Sequence, residues 1–159
     1  MTSHEAASAW ALAGGARPPR LPKGITLPTD RMLVMGILNV TPDSFSDGGR
    51  FFDPGAAFEH AVQMVEAGAD LVDLGGESTR PNSQRISEDE EWERIGATIQ
   101  RLTEAGIVVS VDTLHAITAR RAADAGAAII NDVSGGRWDP QMNAAVAKTS
   151  CAYVIQHYR

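Results

Sequence analysis

Polar and charged side chains recur in this chain just after short apolar runs, and the first such group is Asn39-Val40-Thr41-Pro42-Asp43-Ser44-Phe45-Ser46-Asp47-Gly48-Gly49. The amide oxygen of Asn39 is a hard ligand of the kind Mg²⁺ takes, and the closing glycine pair suits a loop that folds over a ligand, where Phe45 can stack on a planar ring. Plain turn chemistry is the other reading of the same residues, since Asx and Gly serve turns well. The second group, Gly75-Gly76-Glu77-Ser78-Thr79-Arg80-Pro81, sets hydroxyls and a guanidinium beside glycines that admit close backbone approach. Arg presents a planar fork of donors matched to phosphate oxygens, which suits an oxyanion or diphosphate; an ion pair of Arg80 with Asp73 or Glu77 is the alternative.

Ser110-Val111-Asp112-Thr113 and Ile130-Asn131-Asp132-Val133-Ser134-Gly135-Gly136 repeat the arrangement. A carboxylate accepts two N–H bonds side by side, so Asp112 with Asn131 can read the donor and acceptor edge of a flat heterocycle. Asp112 can equally cap a helix that begins at Leu114. His157 follows the last apolar run and extends the pattern. His4, His60 and His115 are read as ordinary helix or arm residues, and Trp10, Trp92 and Trp138 as packing or surface residues, with Trp138 near the site rim. Neither a P-loop, nor H-E-x-x-H, nor G-x-S-x-G occurs.

These groups need elements to hold them. Apolar runs at 32–38, 69–74, 107–111, 128–130 and 152–155 read as strands, and amphipathic stretches at 54–67, 88–104, 114–125 and 140–148 read as helices. Pro54 suits a helix start, Ser87 an N-cap, and Gly68, Gly106 and Gly126 the ends. Apolar strands alternating with helices mark an α/β protein with a parallel sheet covered on both faces. The glycine fingerprint of a dinucleotide-binding fold is absent after the first strand, whereas unusual residues sit on every strand-to-helix loop, where a (β/α)8 barrel keeps its chemistry. A whole barrel takes about 250 residues. The 159 residues supply about four βα units plus a fifth strand, the N-terminal half of a TIM barrel, and the chain is read as truncated. Residues 1–30, rich in Pro and Gly, read as a flexible arm, and 31–159 as the partial barrel.

Composition narrows the partners. A net charge of −6 and a pI near 5.1 argue against nucleic acid, which demands clustered Lys and Arg. No apolar stretch is long enough for a membrane span and no secretory leader pattern opens the chain. Cys151 is the single cysteine, which excludes an internal disulfide and suits the reducing cytoplasm; its strand-like flank suggests a buried, inert thiol.

The first two loops together closely resemble the dihydropteroate synthase family, the folate-pathway enzymes that sulfonamides inhibit, and the groups at Asp112 and Asn131 continue the match in order from about Arg31 to Arg159. The resemblance implies a pterin-binding TIM barrel that condenses 6-hydroxymethyl-7,8-dihydropterin diphosphate with 4-aminobenzoate, giving 7,8-dihydropteroate and diphosphate. It implies that Asn39 helps to hold Mg²⁺ and diphosphate, that Asp112 and Asn131 bind the pterin, and that His157 sits by the diphosphate. Phe45 and Asp47, with Thr79 and Arg80, would close the site over diphosphate and aminobenzoate. The family mechanism is dissociative: diphosphate leaves with Mg²⁺ assistance, the pterin methylene becomes cationic, and the arylamine attacks it.

Family groups from the second half of the barrel are absent from this chain: another pterin-binding Asp, a Lys, a Ser-Arg-Lys stretch and a late Arg-x-His pair. Little or no synthase activity is therefore expected of it alone. The family's homodimer interface lies on late helices, so dimerisation of this chain does not follow by analogy. The pterin-binding domain of a corrinoid methyltransferase and a non-catalytic fragment remain the alternative readings.

Overall fold

A computed structural model describes residues 20–41, 53–78 and 83–156. Strands β1 (Met35–Asn39), β2 (Leu71–Gly75), β3 (Val109–Asp112), β4 (Ile129–Asp132) and β5 (Ala152–Ile155) alternate with helices α1 (Pro54–Glu66), α2 (Glu88–Glu104), α3 (Ala116–Asp124) and α4 (Met142–Val146). All strands are parallel and lie in sequence order β1-β2-β3-β4-β5. Successive helices touch one another, α1 on α2, α2 on α3 and α3 on α4. Sequential strands with neighbouring crossover helices are the arrangement of consecutive barrel units, not of a doubly wound sheet whose strand order reverses.

Local chemistry accounts for the helix ends. Pro54 occupies the first turn of α1, and Asp53 accepts a 2.8 Å hydrogen bond from the Gly55 amide. Ser87 accepts from the Glu90 amide at 3.2 Å, and Glu88, Asp89, Glu90 and Glu91 fill the first turn of α2, where the helix dipole favours anions. Gly106, at φ +77°, follows the C-cap of α2 in a conformation that costs an L side chain energy.

Side chains on alternate strand positions go to opposite faces. Leu38, Val72, Leu74, Val109, Val111 and Ile130 pack with Ala57, Ala61, Ile95, Ile99, Leu102, Ala119 and Met142 of the helices, forming the main core. The sheet is thus not sandwiched between helices, as the apolar strands suggested; the helices share the core on one face. The opposite face carries Ile37, Asp73, Ser110 and Ile129 in one register row and Asn39, Gly75, Asp112 and Asn131 in the next. Toward the N-terminal ends of the strands this face is covered by apolar packing among Leu71, Ile129, Ala152, Leu21 and Ile25. The expected arm is therefore tethered from Arg20 onward, because Leu21 and Ile25 find apolar partners there.

Strand boundaries lie C-terminal to the apolar runs. Met32, Leu33 and Val34 precede the β1 ladder, while Asn39, Gly75, Asp112, Asn131 and Asp132, expected in loops, belong to strands. Backbone pairing is indifferent to side-chain polarity, so the ladder continues through residues that hydropathy alone assigns to loops. α3 begins at Ala116 instead of Leu114 for the same reason: the Thr113 amide still bonds the Asn131 carbonyl at 3.1 Å, holding the chain to the sheet.

Candidate functional site

The row Asn39, Gly75, Asp112 and Asn131 crosses four adjacent strands at their C-terminal ends. Gly75 keeps its middle open: a Cβ there would lie 3.5 Å from the Asp112 Cβ and 3.7 Å from Asn39 Oδ1. The amide oxygen of Asn39 and the Asp112 side chain therefore flank one small space.

Below this row sits a buried carboxylate. Asp73 Oδ1 accepts from Ser110 Oγ at 2.6 Å, and Asp73 Oδ2 accepts from Asn131 Nδ2 at 3.2 Å. Burial pushes the Asp73 carboxyl above its usual range, against the pull of those two bonds. Asn131 is held from its other end as well, since Gln156 Nε2 donates to its Oδ1 at 2.8 Å. Both ends of the carboxamide are thus engaged by neighbours, which fixes which atom faces which partner. Each still has capacity for one more bond, a donor from Nδ2 and an acceptor at Oδ1.

Asp112 differs from its neighbours: its Oδ1 is buried with no hydrogen-bond partner. Burial, followed by repulsion from Asp73, Glu91, Asp132 and Glu77, pushes its carboxyl up to about 7. At neutral pH the group is balanced between proton donor and anion, and a ligand presenting N–H groups would supply the bonds it lacks.

Two further clusters fix the surrounding loops. Asp132 is fully buried and accepts from the Ser134 amide at 2.8 Å, Ser134 Oγ at 2.7 Å, the Gly136 amide at 2.7 Å and Tyr153 Oη at 3.0 Å. It shapes the turn after β4. Glu77, at the end of β2, accepts from Arg85 Nη1 at 2.9 Å, and its Oε2 lies 3.2 Å from His115 Nε2. Burial raises the Glu77 carboxyl, but the bonds from His115 and Arg85 outweigh it and hold it below its usual range; the same contact with Glu77 raises the His115 imidazole against its own burial. Thr113 Oγ1 accepts from the His115 amide at 3.1 Å and donates to buried Glu91 at 2.8 Å.

Of the residues singled out in the sequence, Asn39, Asp112 and Asn131 come together in the register row. Phe45, Asp47, Thr79, Arg80 and His157 lie outside the described residues. Asp112 does not cap α3, because the Ala116 amide is taken by Asp139 Oδ2 at 2.8 Å and the His115 amide by Thr113. Glu77 is engaged by Arg85 and His115, and Asp73 by Ser110 and Asn131. His115 is not an ordinary helix residue: it stands at the N-cap position of α3 and reaches Glu77. Trp138 is half exposed with the Arg85 guanidinium 4.9 Å from its ring centroid. Cys151 is partly buried, its thiol donates to the Ala127 carbonyl at 3.1 Å, and burial raises its pKa, the state of an unreactive thiol.

Sequence reasoning named Asp73 only as a possible partner of Arg80, not as the residue that holds Asn131, and missed Gln156. The first had a signal, a carboxylate inside the apolar run Leu71-Val72-Asp73-Leu74. The second had none, since its bond to Asn131 crosses from one strand to the next.

Among the described residues no cluster of three or more His, Cys, Asp and Glu side chains is arranged to hold a metal ion, and no helix is long and apolar enough to cross a membrane. Asn39 Oδ1, beside the unpartnered Asp112 carboxyl, is a hard oxygen donor that fits Mg²⁺, an ion that keeps several waters and needs few protein ligands.

Comparison with known proteins is consistent with this geometry. The family model for pterin binding enzymes matches residues 35–159. The dihydropteroate synthase of Bacillus subtilis is 49% identical over 131 residues, covering 82% of this chain and 46% of the relative. The solved dihydropteroate synthase of Xanthomonas albilineans with 4-aminobenzoic acid superposes with a TM-score of 0.82 at 44% identity, over 89% of this chain and 53% of that one. That of Yersinia pestis, solved with a sulfonamide drug complex, gives 0.78 at 43% identity, over 86% and 50%. The chain spans about half the length of the curated relatives it matches. It belongs to the family of pterin binding enzymes, and its neighbours in structure are dihydropteroate synthase TIM barrels.

Proposed function

We propose that this chain carries the pterin-facing part of a dihydropteroate synthase, which condenses 6-hydroxymethyl-7,8-dihydropterin diphosphate with 4-aminobenzoate. The observation that carries this reading is the Asp112 carboxyl, short of hydrogen bonds and poised near neutrality beside a carboxamide held at both ends. A pterin edge offers adjacent N–H donors and an acceptor. Asp112 accepts the former, and Asn131 adds one donor and one acceptor in a fixed orientation. Asp73 orients Asn131 through its bond to Nδ2.

Asn39 would hold Mg²⁺ with diphosphate, and the ion would stabilise negative charge developing on the leaving group. Thr79, Arg80 and His157 are proposed as diphosphate contacts, with Phe45 and Asp47 over the aminobenzoate; hydroxyl and guanidinium donors suit an anion that gains charge as it departs. A site that takes 4-aminobenzoate is also a target for sulfonamides. A cytoplasmic setting goes with this reading, since the lone cysteine of the chain, Cys151, forms no internal disulfide.

The test is a fluorescence titration of the 159-residue chain with 6-hydroxymethylpterin. Saturable binding is expected, weakened at least tenfold by Asp112→Ala and by Asn131→Ala, about the cost of one lost charged or neutral hydrogen bond in a dry site. No binding by the unaltered chain, or equal binding by all three proteins, overturns the reading.

A further inference from the structure

The buried face of α2 is apolar at Ile95, Ile99 and Leu102, yet it begins with an acidic side chain, Glu91, which is 0% exposed. Its Oε2 accepts from Thr113 Oγ1 at 2.8 Å, and its Oε1 has no hydrogen-bond partner. Packing does not call for such a group, because burying a carboxyl with one oxygen unsatisfied is costly and an apolar side chain of similar size would fill the space without that cost. What the carboxyl adds is its bond to Thr113. That residue directly follows Asp112 and is itself held at three points. The Thr113 amide donates to the Asn131 carbonyl at 3.1 Å, the hydroxyl donates to Glu91, and the same hydroxyl accepts from the His115 amide at 3.1 Å. The first turn of α2 comes this close to the strand ends because Gly76 has no side chain: a Cβ there would stand 3.3 Å from both Glu91 Cγ and the Glu91 carbonyl oxygen. The chain just beyond Asp112 is thus anchored to β4 on one side and to α2 on the other.

We propose, resting on the dihydropteroate synthase reading, that Glu91 is a positioning residue for pterin recognition: through Thr113 it fixes the end of β3, and with it the direction in which the Asp112 carboxyl is presented. Asp112 Oδ1 has no partner to orient it, so the backbone that carries the carboxyl does much of the aiming. Glu91 is fully buried and acts through Thr113, not by contact with the ligand. The physical basis is preorganisation: a recognition group whose supporting backbone is already fixed loses less conformational freedom when the ligand binds. Thr113 is 2% exposed, so its bond to Glu91 is shielded from competing water.

The test compares Glu91→Met with Glu91→Gln in the full 159-residue chain, by fluorescence titration with 6-hydroxymethylpterin near neutral pH. Glu91 also repels the charged form of Asp112. Both substitutions remove that charge, and only Gln keeps an acceptor for Thr113, so the difference between them isolates the hydrogen bond. Glu91→Met is expected to bind about three- to tenfold more weakly than Glu91→Gln, roughly the worth of one hydrogen bond. In an Asp112→Ala background the two are expected to bind alike, since there is no carboxyl left to aim. Equal affinities with Asp112 present overturn the proposal, and so does a gap that persists in Asp112→Ala, which is what a general loosening of the fold would produce. A second arm follows hydrogen exchange of the backbone amides in the unliganded proteins. The Thr113 and His115 amides are expected to exchange faster in Glu91→Met than in Glu91→Gln, while the amides of Ile99 and Leu102 do not change; equal exchange at Thr113 and His115 overturns the anchoring whatever the titrations show. Failure of the unaltered chain to bind the pterin sinks the synthase reading and the recognition role with it, and the exchange data then still decide whether Glu91 anchors the end of β3.

Discussion

Asp112→Asn tests the electrostatics of the site directly, through stability and without any ligand. The carboxyl moves from 3.8 to about 7 on folding, because burial and four neighbouring carboxylates penalise its charged form. A pKa raised in the folded state means that the native protein binds the proton more tightly than the unfolded chain does, so stability falls as pH rises above the unfolded value and levels off above the folded one. A shift of about three units corresponds to roughly 4 kcal/mol, and partial access of water to the residue cuts the expected effect to about 2 kcal/mol between pH ~4 and ~8. An amide of the same shape cannot ionise, so Asp112→Asn should lose most of that slope and become the more stable protein at pH ~8. Urea unfolding at half-unit pH intervals measures the difference. Parallel stability profiles for the two proteins, offset by a constant, would refute the reasoning, as would an Asp112 carboxyl carbon that titrates in the ordinary range by NMR. The ligand prediction has the opposite sign: a pterin edge that donates N–H groups prefers the carboxylate, so its affinity should rise with pH through about 7 in the unaltered chain and stay flat in Asp112→Asn.

Other substitutions probe the scaffold. Gly76→Ala places a Cβ 2.9 Å from Ile95 Cγ2 and 3.3 Å from both Glu91 Cγ and the Glu91 carbonyl, in packing that cannot yield without moving α2. Urea denaturation should show a loss of about 1–3 kcal/mol. Asp132→Ala leaves the Ser134 and Gly136 amides, the Ser134 hydroxyl and the Tyr153 hydroxyl without their shared acceptor, for a loss of about 2–4 kcal/mol in the same assay. Ser87→Ala should cost about 1 kcal/mol by thermal unfolding and Ser87→Asp should restore it, since either side chain can accept from the Glu90 amide. A Ser87→Ala protein as stable as the unaltered one would show that the first turn of α2 is held by packing alone.

The α/β alternation was legible because the first three helices carry boundary chemistry of their own, Asp53 before α1 and Pro54 at its start, Ser87 before α2, and glycine after each of the three. Such signals are local, and sequence exposes local physics well. The limits of the strands were less legible. Hydropathy places the end of a strand where apolar residues stop, whereas the ladder places it where the partner's carbonyls stop, and here those points differ at Asn39, Gly75, Asp112 and Asn131. The difference falls on the functional row because a barrel of this kind ends its strands in polar side chains that point into the site. Asp112 and Asn131 could therefore be named from residue type and spacing, while their states could not. The raised carboxyl depends on burial first and then on Asp73, Glu91, Asp132 and Glu77 standing around it, and the fixed amide depends on Asp73 and Gln156, residues distant in sequence that only the parallel register brings together. His115 makes the same point from the other side. Alone it is an unremarked residue near a helix start; one strand away from Glu77 it becomes the hydrogen-bond partner of a buried carboxylate, and its role is set by register and not by type.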